Sequence, residues 1–275
     1  MNKNINRKNM KNAFINFLKT CFDSKSGQRF LEKVHLLVLY LQNYGLSGEC
    51  DSSGEVNALK KASEQLNKKS TILVFDIGAN IGKYATNFTK LLTTKYTIHC
   101  FEPSPNTFKI LKENTKHDSN IIPHCLGMGN EETESVLFSN DLTNTHSSLL
   151  QRDMSHWDES YNLKNKETVS ITTLDNFCSK NNIAFIDFMK IDIEGYEWNF
   201  FKGAKNTLDA RKIGMIQFEL GVGAVDGKYF FKDVFYLLNK NYRIYRITKN
   251  NLYEIVKYKE QYEIFLTTNY LAILR

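Results

Sequence analysis

A chain of 275 residues with 42% apolar side chains is long enough for one full α/β domain plus an extension. Its 36 basic and 30 acidic residues leave a net +6, without the dense Lys/Arg clusters of a nucleic-acid enzyme, so no nucleic-acid partner is expected. The five cysteines, Cys21, Cys50, Cys100, Cys125 and Cys178, form no CxxC pair; this argues against structural disulfides and zinc and fits a reducing cytoplasm.

Much of the positive excess sits in MNKNINRKNMKN, which reads as a solvated terminus or as a contact with an anionic surface or polymer. Residues 1–70 lack proline and are helically periodic: Phe14, Phe17 and Leu18 share a face, as do Leu31, Val34, Leu37 and Leu41. The run Leu36–Leu41 is far short of the ~20 apolar residues that span a bilayer, so no transmembrane segment is expected. Gly45 to Glu55 predicts a loop, and Val56–Leu66 a further helix. This organisation divides the chain into an N-terminal helical extension at 1–70 and a second domain at 71–275.

From Ile72 onward strands and helices alternate. Strands are predicted at 72–76, 97–102, 120–125, 169–172, 185–193 and 215–220, with helices at 83–94, 105–116 and 174–181. The section 127–168 reads as irregular apart from a short strand at 135–139. The tail segments 242–248, 252–256 and 270–274 are rich in β-branched and aromatic residues and read as closing strands. The alternation implies an α/β fold with a doubly wound, mostly parallel sheet.

The segment Val74–Gly82, VFDIGANIG, is a strand followed by a glycine-containing turn into a helix. Glu102 lies 20 positions after Gly82, at the end of the next strand. That spacing places a carboxylate where a nucleotide-binding α/β fold clamps a ribose diol. The turn lacks the third glycine of the dinucleotide fingerprint, and Asp76 would repel a phosphate. A ligand carrying a ribose, an ammonium and a carboxylate fits better, and S-adenosylmethionine is such a ligand. A nicotinamide-dependent oxidoreductase and a non-catalytic nucleotide-binding module of the same fold are the alternatives.

Several ordered blocks carry a resemblance: FDIGANIGKY at 75–84, CFEPSPNTFKIL at 100–111, HCLGMGNEE at 124–132, VSITTLDNF at 169–177, FMKIDIEGYEWNFFKGA at 188–204 and IQFE at 216–219. Together they resemble the FkbM family of class I methyltransferases, from about Ile72 to the C-terminus. The resemblance implies a seven-stranded, Rossmann-like sheet finished by antiparallel C-terminal strands. It implies S-adenosyl-L-methionine as cofactor, held by Asp76, Gly78, Asn80, Gly82, Glu102, Pro103 and Asp192, with Cys125 and Leu126 beside the adenine. It further implies methylation of a hydroxyl on a small-molecule, glycan or polyketide-type acceptor, a surface-polysaccharide sugar first among them, and for the region 1–70 a helical cap that shapes the acceptor site or forms a homodimer contact, a packing appendage being the alternative. Asp192 is the leading catalytic residue, and Glu219 and the loop residue His146 are the other candidates. Asp192, Glu194 and Glu219 can also hold Mg²⁺ through oxygen ligands, although their spacing alone does not fix a site. Trp157 and Tyr161 are candidates for stacking on a sugar, and Glu197 for complementing the dipole of the helix it opens.

Overall fold

The computed structural model describes residues 2–45, 54–140, 147–152 and 163–275. His146, Trp157, Tyr161 and Cys50 lie outside the described residues. The chain divides into two compact units, one up to Tyr44 and one from Gly45 to Arg275. The smaller unit holds α1 (Asn2–Phe22) and α2 (Lys25–Leu41). Ser24 caps α2, its Oγ accepting from the Gly27 N–H at 3.1 Å. Gly27 lets the two helices meet closely, because a Cβ there would fall 2.7 Å from the Phe22 carbonyl oxygen. Phe22 and Phe30 stack across the joint with centroids 5.9 Å apart.

The larger unit begins with α3 (Glu55–Leu66) and continues with β1 (Thr71–Ile77), α4 (Lys83–Thr89), β2 (Lys95–Phe101), α5 (Pro105–Thr115) and β3 (Ile121–His124). Then follow β4 (Gly127–Met128), β5 (Thr133–Ser139), β6 (Asn165–Thr172), α6 (Leu174–Lys180), β7 (Ile186–Ile191), α7 (Glu197–Gly203), α8 (Lys205–Asp209) and β8 (Ile213–Leu220). The chain closes with α9 (Gly223–Asp226), α10 (Phe231–Leu238), β9 (Tyr242–Ile247), β10 (Leu252–Glu254) and β11 (Thr268–Leu274). The main sheet has the order β10-β9-β11-β8-β7-β1-β2-β3. Strands β3, β2, β1, β7 and β8 run parallel; β11 is antiparallel to both β8 and β9, and β10 is antiparallel to β9. The parallel sheet and the antiparallel finish agree with the sequence reading.

Three features differ from it. Helix α4 ends at Thr89 and not at 94, because Leu91 and Leu92 turn back onto Phe88 and Thr89. The Asn67 side chain fixes that turn, donating to the Leu91 carbonyl at 3.0 Å and accepting from the Thr93 N–H at 2.8 Å. The strands read at 135–139 and 169–172 form as β5 and β6, but β4 joins them in a second, three-stranded sheet, β4-β6-β5, with a small core of Leu137, Val169 and Ile171. The segment read at 252–256 forms β10, which makes the sheet eight-stranded where the resemblance implies seven.

Side-chain alternation sorts the main sheet into two faces. On one, Phe75, Ile77, Met189, Ile191, Ile216 and Phe218 pack with α6, α7 and α10. On the other, Val74, Phe188, Met215 and Leu271 pack under α3, through Leu59 and Ala62, and under α4, through Tyr84 and Phe88. This second face turns polar toward the carboxyl ends of the parallel strands. The register aligns Asp76 of β1 with Lys190 of β7, and Lys190 with Gln217 of β8.

Candidate active site

The polar row lies where an open α/β sheet binds ligands, outside the carboxyl ends of its strands. A cavity of about 590 Å³ opens there. Five carboxylates line it, from Glu55, Glu102, Asp192, Glu194 and Glu219, against the ammonium groups of Lys83 and Lys190. Its apolar wall includes Ile77, Pro103, Met128, Leu137 and Leu149.

The loop after β1 is held by the second strand. Gly78 and Ala79 donate to the Phe101 carbonyl at 3.0 and 2.9 Å, Asn80 donates to Glu102 Oε2 at 3.1 Å, and Gly82 donates to the Ala79 carbonyl. These N–H groups are spent within the protein, so the loop is not a phosphate cradle; this is the physical counterpart of the missing third glycine. Gly78 has φ +83°, and a Cβ on it would sit 1.9 Å from the Asp192 carbonyl oxygen. Only glycine lets the two strand ends approach this closely.

Glu102 is buried and fixed at both oxygens, Oε1 accepting from the Ser104 N–H at 2.9 Å. Burial outweighs these bonds and pushes its pKa up to about 7. Each oxygen retains capacity for a further hydrogen bond. Asp76 lies beneath the cavity, 1% exposed, with neither carboxylate oxygen in a full hydrogen bond. Burial pushes its pKa up to about 6; Lys190 opposes that shift, Asp192 and Glu55 add to it, and the Ala85 N–H compensates weakly.

Lys190 is the buried cation of the row. Its Nζ lies 2.9 Å from Asp192 Oδ2, 3.8 Å from Glu55 Oε1 and 4.4 Å from the centre of the Tyr84 ring. Burial alone would lower its pKa, but Asp192, Glu55 and Asp76 reverse this and keep it charged. Gln217 ties the neighbourhood together. Its Oε1 accepts from the Tyr84 hydroxyl at 2.8 Å, and its Nε2 donates to Glu55 Oε1 at 3.3 Å. Glu219 accepts from Asn269 Nδ2 at 3.3 Å, and burial, then Asp192 and Glu194, raise its pKa.

The turn after β7 carries Glu194 and Gly195 at φ +54° and +102°. Glu197 fastens it. One oxygen of this buried side chain accepts from the Ile193 and Gly195 N–H groups, both at 3.2 Å, and the other accepts from the Tyr229 hydroxyl. Buried Arg152 bonds Glu194 Oε2 through Nη1 and Asp226 Oδ2 through Nε, each at 3.0 Å. Ser148 Oγ donates to the Glu194 carbonyl at 2.8 Å. The segment 147–152 therefore holds the rim on which Glu194 stands.

Of the residues expected from sequence, Gly78, Asn80, Glu102, Pro103, Asp192 and Glu219 line the one cavity. Asp76 lies under it, and Gly82 opens α4 in a left-handed conformation at φ +83°. Cys125 and Leu126 do not line it; the wall there is Gly127 and Met128. His146 lies outside the described residues. Glu55, Tyr84, Gln217 and Arg152 were not anticipated. Among the described residues no group of three or more His, Cys, Asp or Glu is arranged to hold a metal ion.

A family model described as the methyltransferase FkbM domain matches residues 76–244. The chain belongs to the FkbM methyltransferase family. The hexuronic acid methyltransferase AglP of Haloferax volcanii is 24% identical over 204 residues, covering 73% of this chain and 74% of that protein. Among solved structures, the methyltransferase FkbM of Methylobacillus flagellatus KT aligns with a TM-score of 0.45 at 12% identity, covering 89% of this chain and 60% of that one. TrmK of M. capricolum, solved with S-adenosyl-homocysteine, aligns at 0.40 and 12% identity, covering 77% of this chain and 66% of that one. The polar row, the loop after β1 and the turn after β7 of this methyltransferase all fall within the matched residues.

Proposed function

We propose that this methyltransferase uses S-adenosylmethionine to methylate a hydroxyl group on a glycan sugar. The observation that carries the reading is the convergence of Gly78, Asn80, Glu102 and Asp192 on one acidic cavity, with the orphaned carboxylate of Asp76 beneath it. A buried carboxylate without a full hydrogen bond is costly even beside Lys190, and a cationic ligand further offsets that cost. Glu102 would hold the ribose diol, and the acidic wall would face the ammonium and sulfonium. Pro103 and Met128 would flank the adenine. When bound, the cofactor supplies an electrophilic methyl group on a sulfonium cation.

The chain's own residues then align the acceptor and exclude water. Asp192 orients the acceptor hydroxyl and takes its proton, with Lys190 fixing the carboxylate at 2.9 Å. The preponderance of carboxylates around the cavity favours a neutral hydroxyl over a carboxylate as acceptor, since like charges would have to be buried together. AglP, a methyltransferase of hexuronic acid, supports a sugar as the substrate class.

Calorimetry with S-adenosylhomocysteine tests the cofactor assignment. Wild type is expected to bind, and Glu102→Ala to lose about 1.5–3 kcal/mol, roughly 10–150-fold in Kd. Melting curves of the variant separate lost contacts from lost folding. Unchanged affinity would remove the basis of the assignment.

A further inference from the structure

The smaller unit carries the whole net charge of the protein. Residues 1–44 hold eight Lys and Arg against two Asp and Glu, a net +6, while the remainder is balanced at 28 against 28. The same unit displays large apolar side chains to solvent. On α1, Met10, Phe14 and Phe17 are each more than 60% exposed, and on α2, Phe30, Leu37 and Leu41 are each more than half exposed.

The two properties are arranged together. At helical spacing Phe30, Leu37 and Leu41 fall on one side of α2, and Lys25, Arg29 and Lys33 form an exposed stripe along its flank. An apolar face bordered by cations lies in the headgroup region of an anionic bilayer, with rings and aliphatic chains among the acyl carbons and ammonium groups at the phosphates. No helix among the described residues is long and apolar enough to cross a membrane.

We propose that the α1–α2 unit docks this protein on an anionic phospholipid surface. A second copy fits less well, because pairing the same face would bring two units of +6 together. A nucleic acid would satisfy the cations and leave the phenyl and leucyl groups in water. The proposal is independent of the methyl-transfer reading, since binding is measured without cofactor or acceptor.

The full chain is tested by flotation with phosphatidylcholine vesicles, with and without about one third phosphatidylglycerol. Binding to anionic vesicles is expected to be at least about tenfold tighter than to neutral ones. It should weaken when salt rises from about 0.1 to about 0.5 M. Lys25→Glu/Arg29→Glu/Lys33→Glu should abolish the anionic preference. Phe30→Ser/Leu37→Ser should release the protein even at low salt, which separates insertion from simple charge adsorption. If the apolar variant proves misfolded by its melting curve, the charge variant, altered only at exposed positions, carries the test. Equal binding to both vesicle types, or to neither, would overturn the proposal. So would a dimer in light scattering that the apolar substitutions break while vesicles go unbound; the face would then be a contact between copies.

Discussion

Glu197 shows how a single carboxylate can look functional and act on the backbone. It is acidic, buried and inside the block 188–204 that carries part of the family resemblance, yet its bonds go to the Ile193 and Gly195 N–H groups and to Tyr229. Burial pushes its pKa up to about 7, above the 4.5 of a free glutamate. A group whose pKa is raised on folding contributes stability that is complete below about pH 4.5 and lost as pH rises through about 7. Glu197→Gln keeps an acceptor for the two N–H groups and removes the ionisation. Its stability relative to wild type should therefore improve from pH 5 to pH 8, by about 1–3 kcal/mol in urea unfolding. Parallel pH profiles for the two proteins would show that the carboxylate bears no burial penalty. From the sequence Glu197 can be read only as an acidic residue in a first helical turn; Tyr229, which reveals its role, lies 32 positions away.

At the scale of elements, the catalytic assignment rests on the end of β7. Asp192 donates its N–H to the Ile77 carbonyl at 3.0 Å, which locks this strand end against the start of the β1 loop, and its side chain reaches the cavity. Asp192→Asn preserves the shape and removes the proton acceptor. With a hydroxyl acceptor that turns over, kcat is expected to fall by about 10²–10⁴-fold, a larger factor than the accompanying loss of S-adenosylhomocysteine affinity. A near wild-type kcat would move the base to another residue, and the loop residue His146 would be the next to test. The strands that carry or precede Asp76, Glu102 and Asp192 were legible because each is rich in β-branched and aromatic residues and has an acid at or just beyond its carboxyl end. Of the sheet β4-β6-β5, the apolar parts of β5 and β6 were legible at 135–139 and 169–172; β4 was not, because it has only two residues, nor were the first residues of β6, Asn165-Lys166-Glu167, which carry no apolar alternation. That small sheet matters to the site: Met128 and Leu137 form part of the cavity wall.

Across the whole molecule, the main sheet is apolar on one face and partly ionic on the other, and the ionic part is a single connected arrangement. Asp76, Lys190 and Gln217 stand on three neighbouring strands, and α3 lowers Glu55 onto them. The acids and glycines of this arrangement were visible in the sequence because they sit in local motifs. Glu55, Tyr84 and Gln217 were not, because they meet only after the chain has closed, at separations of 133 and 162 residues. Lys190 is the cation that neutralises the row, so its removal is the sharpest global test. Lys190→Met leaves Asp76, Asp192 and Glu55 without their positive partner, and stripping one member from a buried ionic set costs about 3–5 kcal/mol. Asp76 already titrates near 6, and Lys190 is the charge that holds it that low. Without Lys190 its pKa rises further above 3.8, so the lost stability is small at pH 5, where the carboxylate takes a proton, and large at pH 8, where it cannot. Urea unfolding of wild type and variant at the two pH values measures this gap. A gap that is equal at both, or that widens on acidification, would mean that the row is neutralised by something other than Lys190.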